Sequence, residues 1–217
     1  MTIDDFIILA EKALSGDASS QFELGRCFLV GDVVNEDNFQ AVKWYTKAAE
    51  QGDAGAQRSL AYRYEYGEGV ERDEEKAVYW YIKAAEQGDA GAQISLGHCY
   101  KYGEGVEKDE EKAVYWYIKA AEQGDTYAQY LLGECYKDGE GVEKDEEKAV
   151  YWYIKAAEQG ETAAQYTLGD FYEHGTGVEK DAEKAVYWYI ESGNYSLVSN
   201  LLAKISSVPF NWDEFTY

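Results

Sequence analysis

The sequence predicts an all-α solenoid built from five two-helix repeats, with a capping helix at each end. Three observations carry this. Trp44, Trp80, Trp116, Trp152 and Trp188 recur every 36 residues, and Gly16, Gly52, Gly88, Gly124 and Gly160 keep the same spacing. The stretch DEEKAVYWYIKAAEQG at 73–88 returns unchanged at 109–124 and 145–160. The chain has one Pro in 217 residues and abundant Ala, Glu, Lys and Leu, which argues against an all-β fold.

The elements follow in order. A helix over about 3–14 aligns with the second helix of a repeat and caps the N-terminal end, giving a first segment of 1–16. Repeats then occupy 17–52, 53–88, 89–124, 125–160 and 161–193. In the second repeat Asp53 caps a helix over 54–66, in which Gln57, Leu60, Ala61 and Tyr64 share one face. Gly67 takes the left-handed conformation that ends such helices, and Val70 plugs the loop. Asp73 caps the second helix, and Glu74 and Glu75 sit where the helix dipole favours acid. Ala77, Trp80, Tyr81 and Ala84 form its apolar stripe, and Gly88 closes it. One hairpin cannot bury that stripe, so repeats must stack. The end repeats are worn. The first has Val33 at a loop glycine position and Asn38-Phe39-Gln40 for Glu-Glu-Lys. The last ends in Glu191-Ser192-Gly193, which shortens its second helix. The segment 194–217 holds a helix over about 195–205 and an aromatic tail, FNWDEFTY at 210–217, that either folds back or docks into a partner.

Ala92, Leu96, Gly97, Tyr100, Gly103, Gly105, Val106, Asp109, Lys112, Ala113, Trp116, Tyr117, Lys119, Ala120, Ala121 and Gly124 resemble the Sel1-like repeat family, a relative of the tetratricopeptide repeats. The resemblance covers about residues 17–193. It implies a right-handed α/α superhelix, adaptor or scaffold roles, and no shared catalytic residues.

Comparing the repeats with one another separates two sets of positions. The second helices hardly change. The first helices keep the positions of Ala56, Gln57, Leu60, Ala61 and Tyr64. They vary at those of Gly55, Arg58, Ser59, Tyr62, Arg63, Glu65 and Tyr66. Residues 55, 58, 59, 62 and 66 share one helical face. In tetratricopeptide-like arrays the first helices line a concave groove, so this face is the candidate partner-binding site. It presents Phe22, Arg26, Arg58, Tyr62, Tyr66, Ile94, His98, Tyr102, Tyr127, Tyr130, Glu134, Asp138, Tyr166, Asp170 and His174. Tyr and Arg are enriched at interface hot spots. Basic residues come early and acidic ones late, which suits a partner with a basic end near the C-terminal repeats.

Composition narrows the partner. Asp and Glu number 42 against 20 Lys and Arg, for a net charge of −22. Such a surface disfavours nucleic acid and anionic membrane and steers basic proteins towards it. Phe6 to Ala10 is too short an apolar run to span a bilayer, and Asp4 and Asp5 precede it where a signal peptide carries positive charge. Residence in the cytoplasm is therefore expected. Cys27, Cys99 and Cys135 hold one equivalent position in three repeats. Equivalent helices lie about 10 Å apart, too far for a bridge, so no disulfides are expected. His98 and His174 offer no zinc spacing, and the acidic loops lack a calcium pattern. Gly-Glu-Gly does not follow a strand, and no Ser, His and Asp constellation stands out. No metal, cofactor or enzyme activity is expected. The favoured reading is a protein-binding adaptor. The alternative is an immunity-type inhibitor that neutralises a basic toxin, and a hydrolase finds no residue to support it.

Overall fold

A computed structural model of the chain describes residues 1–31 and 33–207. Among the described residues there are twelve helices and no strand. The tail 210–217 lies outside them. The chain divides into two compact units, residues 1–125 and the residues from 126 onward.

The first unit contains α1 (Ile3–Leu14), α2 (Ala18–Val30), α3 (Asn38–Glu50), α4 (Ala54–Tyr66), α5 (Glu74–Glu86), α6 (Ala90–Tyr102) and α7 (Glu110–Glu122). Each helix packs chiefly on its neighbours in sequence. The starts are set by side chains. Thr2 and Asp5 form a reciprocal capping box on α1, Asp53 accepts from Ala56 N, and Asp73 accepts from Lys76 N. The stop of α4 is Gly67, whose φ of 71° lets its N–H bond the carbonyl of Arg63. Asp73 N then bonds the carbonyl of Tyr64, fixing the loop between the two helices.

The core follows the repeat. Ala56, Leu60, Ala61, Ala77, Tyr81, Ala84 and Ala85 are almost fully buried, and their equivalents Ala92, Leu96, Ala113, Tyr117, Ala120 and Ala121 are too. Burying one such leucine contributes about 1.5–3 kcal/mol. The tryptophan of the stripe is less buried than the tyrosine that follows it. Trp80 and Trp116 are only partly buried, whereas Tyr81 and Tyr117 are closed off from solvent. The tyrosine takes the inner place because the facing helix leaves room for it. A Cβ on Gly97 would run into the Tyr117 ring.

A polar thread crosses the unit. Gln57 Nε2 donates to the Ala49 carbonyl at the end of α3, and Gln87 Nε2 donates to Gln57 Oε1. Gln93 and Gln123 repeat this, as Gln21 and Gln51 do near α1. A buried glutamine therefore satisfies the orphan carbonyls of the preceding helix, which explains why that position does not vary.

The second unit contains α8 (Thr126–Asp138), α9 (Glu146–Glu158), α10 (Thr162–His174), α11 (Ala182–Glu191) and α12 (Tyr195–Ser207). Its core joins Tyr153, Leu168, Phe171 and Tyr189 to Leu201 of α12. Helix α11 has 10 residues where α9 has 13, so the expected shortening occurs at Ser192.

Candidate functional site

The exposed side of the first helices carries the candidate residues. In the first unit Arg26, Arg58, Tyr62, Tyr66 and Tyr102 are exposed, and Phe22, Ile94 and His98 are partly buried. Within this unit α2, α4 and α6 share a cleft of about 370 Å³, lined by Leu29, Arg58, Tyr62, Arg63, Ile94 and Ser95 among others. Tyr62 stacks obliquely on Tyr66 at 4.5 Å, and His98 stacks on Tyr102 at 6.0 Å. Arg26 pairs with Glu23 at 3.2 Å, an exposed pair of little energetic weight.

In the second unit Tyr127, Tyr166, Asp138 and His174 are exposed, while Tyr130, Glu134 and Asp170 are partly buried. Tyr127 lies 6.3 Å from Tyr130. His174 Nδ1 is 3.1 Å from Asp170 Oδ1, and Lys137 bridges Glu134 at 2.8 Å and Asp138 at 3.7 Å. Helix α12 closes one side of this stretch. Its Lys204 meets Glu173 at 2.7 Å, and a cleft of about 620 Å³ runs between Tyr166, His174, Leu197 and Lys204. The Lys204 ammonium holds the Glu173 carboxyl below the usual carboxylate range, helped by the Tyr189 hydroxyl.

Several of these side chains also serve the fold. The hydroxyl of each inner tyrosine emerges beside the first helix of its own repeat and needs an acceptor. Tyr81 donates to Glu65, Tyr153 to Glu134, and Tyr189 to Glu173 at 2.9 Å, while Tyr117 meets His98 Nδ1 at 3.2 Å. Burial raises the pKa of Tyr81, Tyr153 and Tyr189, and each carboxylate raises it further. Rings at the Arg58 position cover the same tyrosines. Phe22 lies 5.7 Å from Tyr45, Tyr130 6.0 Å from Tyr153, and Tyr166 6.2 Å from Tyr189.

Sequence comparison missed two features. Arg63 reads as a variable position, but its side chain is buried and points inward, as Cys99 and Cys135 do. The Cys99 thiol is inert, its pKa pushed up to about 12 by burial. The second feature is a row of exposed, nearly invariant tyrosines on the second helices: Tyr79, Tyr115, Tyr151 and Tyr187, each about half exposed. Each stands edge-on to its neighbouring tryptophan, as Tyr79 does to Trp80 at 5.0 Å. Lys83, Lys119 and Lys155 lie over the rings of the first three at about 5 Å. Their sameness hid them, since invariance reads as packing.

Among the described residues no cluster of three or more His, Cys, Asp or Glu side chains could hold a metal ion, and no helix is long and apolar enough to cross a membrane. No disulfide is present among them.

The repeat with its inner tyrosine, glutamine thread and glycine-ended first helix is the Sel1 repeat. That family matches at residues 18–53, 54–89, 90–125, 126–161 and 162–194, and the chain belongs to it. It is an all-α solenoid protein. The chain is similar to c5321, a protective antigen present in uropathogenic Escherichia coli strains that displays an SLR fold. That match has 33% identity and a TM-score of 0.88, over 94% of this chain and 45% of the antigen. The chain thus spans less than half of that relative. It also resembles a Sel1 repeat protein from Oxalobacter formigenes, at 41% identity and a TM-score of 0.79, over 82% of this chain and 74% of the other. A putative Sel1 repeat protein from Klebsiella pneumoniae shares the fold at 24% identity and a TM-score of 0.54, over 89% of this chain and 97% of that one. No match is found among curated proteins.

Proposed function

We propose that this chain is a non-catalytic scaffold that holds a segment of another protein along the exposed face of its first helices. One observation carries the reading. Tyr62, Tyr66, Tyr102, Tyr127 and Tyr166 expose 42–61% of their surface on that face. Large amphipathic rings exposed on the first helices, three in the first unit and two in the second, are of the kind that dominates protein interfaces. The graded charge supports a partner of mixed charge, with Arg26 and Arg58 in the first unit and Glu134, Asp138 and Asp170 in the second. Tyr130 has a structural share in covering Tyr153, so the decisive substitutions are elsewhere. Affinity capture from native lysate followed by mass spectrometry identifies the partner. Tyr66→Ala with Tyr102→Ala then weakens capture by about a hundredfold if each ring is worth on the order of 1–2 kcal/mol, with the thermal midpoint unchanged. Unchanged capture refutes the assignment.

A second reading is favoured by the charge of −22. An acidic scaffold can act as an inhibitor of a basic toxin, and a cytoplasmic, reducing setting suits three cysteines set in separate repeats. Rescue of cells from such a toxin, with affinity falling steeply as salt rises, distinguishes this reading from a general adaptor.

A further inference from the structure

Arg63 is out of place. The equivalent position holds Cys27, Cys99 and Cys135 in three other repeats and Phe171 in the last. A small thiol or an apolar ring suffices there for packing, yet the second repeat buries a guanidinium, leaving its residue 9% exposed. Glu68 accepts from Nη1. That carboxylate did not call for the arginine, because Glu104 and Glu140 stand at the same place in repeats that carry cysteine. Nε of Arg63 is buried and has no hydrogen-bond partner among the described residues. A guanidinium donor buried without an acceptor is costly, and repeats of the same fold avoid the cost.

The surroundings show what would complete it. Arg63 lines the cleft shared by α2, α4 and α6, and Arg58 lines it too. Arg58 is also an exception, since Phe22, Ile94, Tyr130 and Tyr166 hold its place elsewhere. Its Nε is tied to Asp89, the cap of α6, at 3.0 Å. The remaining walls are Tyr, Ser, Leu, Ile and Gly, and no carboxylate lines the cleft in a chain that carries 42 of them. Each guanidinium already meets one carboxylate, Arg58 at Asp89 and Arg63 at Glu68, which leaves Arg63 Nε as the buried donor still open; with the hydroxyls and aromatic surface around it, it forms a carboxylate site with an apolar collar.

We infer that this cleft takes the carboxylate of an Asp or Glu side chain, flanked by an aromatic residue, from a partner segment running across the first helices. This rests on the reading of that face as the binding surface. A side-chain carboxylate is favoured over a chain terminus because candidate positions continue on both sides within the unit, with Phe22 and Arg26 on one and His98 and Tyr102 on the other. The net charge of −22 repels any acidic ligand, so the recognition is local to the two arginines.

The test uses the full chain and no natural partner. The probe is acetyl-Ala-Glu-Phe-Ala-amide, whose only charge is the glutamate, followed by the NMR shift of the Arg63 Nε–H. The expected result is a saturable shift in the millimolar range, weakened about tenfold or more when Gln replaces Glu in the probe. Arg63→Cys and Arg58→Tyr restore residues that other repeats carry, so both variants fold. Each should remove the preference for Glu over Gln, read for Arg63→Cys from the amide shifts of Ile94 and Ser95. No saturable shift, or equal binding of the Glu and Gln probes, overturns the proposal. Tighter binding of a Gln probe with a free terminal carboxylate overturns the side-chain assignment. Failure here leaves the Tyr66 and Tyr102 capture experiment standing, so the two readings fail separately.

Discussion

Helices α5 and α7 have the same sequence over Glu74–Glu86 and Glu110–Glu122, yet their buried hydroxyls are satisfied differently. Tyr81 donates to Glu65, near the end of α4. Tyr117 meets His98, a turn earlier in α6 when the repeats are aligned. The two acceptor positions are three residues apart on the same helix, so either can reach the emerging oxygen. The repeats carry Tyr62 with Glu65, His98 with Lys101, Glu134 with Lys137, and Asp170 with Glu173. Each pair contains an acceptor, and the choice varies. Variation on the first helices is therefore constrained, because part of it is one structural requirement met in two ways. His98 and Glu134 owe some of their identity to the tyrosine beneath them. Tyr66 and Tyr102 carry no such duty on the geometry described, and so they bear the stronger claim to a partner.

The largest effect tests what the two repeats share. Tyr81→Ala and Tyr117→Ala each remove a closed-off ring and leave a cavity beside a small residue, Ala61 or Gly97. Each should cost about 3–5 kcal/mol, read as a fall in the urea midpoint. If one costs far less than the other, the pairs are not equivalent cores, and the comparison fails at its base.

A smaller effect tests where they differ. Glu65→Leu leaves the Tyr81 hydroxyl buried without its acceptor, at about 1–3 kcal/mol. Adding Tyr81→Phe removes the orphaned group and should recover most of that loss. His98→Leu with Tyr117→Phe should give the same sign but a weaker coupling, since a bond to a carboxylate is stronger than one to a neutral imidazole. Double-mutant cycles on urea midpoints measure both. Equal coupling energies would mean that the acceptor's charge is irrelevant. No coupling at Glu65 would show that its identity does not depend on the Tyr81 hydroxyl.

Legibility follows the same division. The repeat length, the N-caps, the glycine stops and the shortened α11 are local consequences of residue type and spacing, and they are readable because five copies repeat them. The glutamine thread was visible as an invariant position, but its role needed the carbonyls of Ala49 and Ala85 in space. The roles of Arg63 and Glu65 were not legible for a physical reason. A helix face is read from apolar spacing, and a guanidinium pointing inward or a carboxylate serving a neighbour's hydroxyl breaks that spacing. The exposed Tyr79 series escaped because repetition marks whatever is kept, on either side of the helix.

The smallest effect is a pH dependence confined to the third repeat. His98 is half enclosed, packed against Tyr117 at 5.6 Å and Tyr102 at 6.0 Å. Burial lowers its pKa from the usual 6.5, the Lys101 ammonium lowers it further, and the Glu65 carboxylate opposes both. A histidine depressed in the folded state favours the neutral ring there. As pH falls below the unfolded value, the unfolded chain takes up a proton that the native ring resists, and stability is lost until the native ring also protonates. The bond to Tyr117 adds to this. With the proton on Nε2, Nδ1 accepts from the hydroxyl, and a protonated Nδ1 cannot. The wild-type midpoint should therefore fall more than that of His98→Gln as pH drops from about 7.5 to 5.5, where the carboxylates they share cancel in the difference. Nothing comparable is expected at Tyr81, whose hydroxyl meets a carboxylate and no imidazole. Parallel curves for wild type and His98→Gln would show that the imidazole accepts the hydroxyl without any stake in its own protonation, and the contrast between the two repeats would then be one of shape alone.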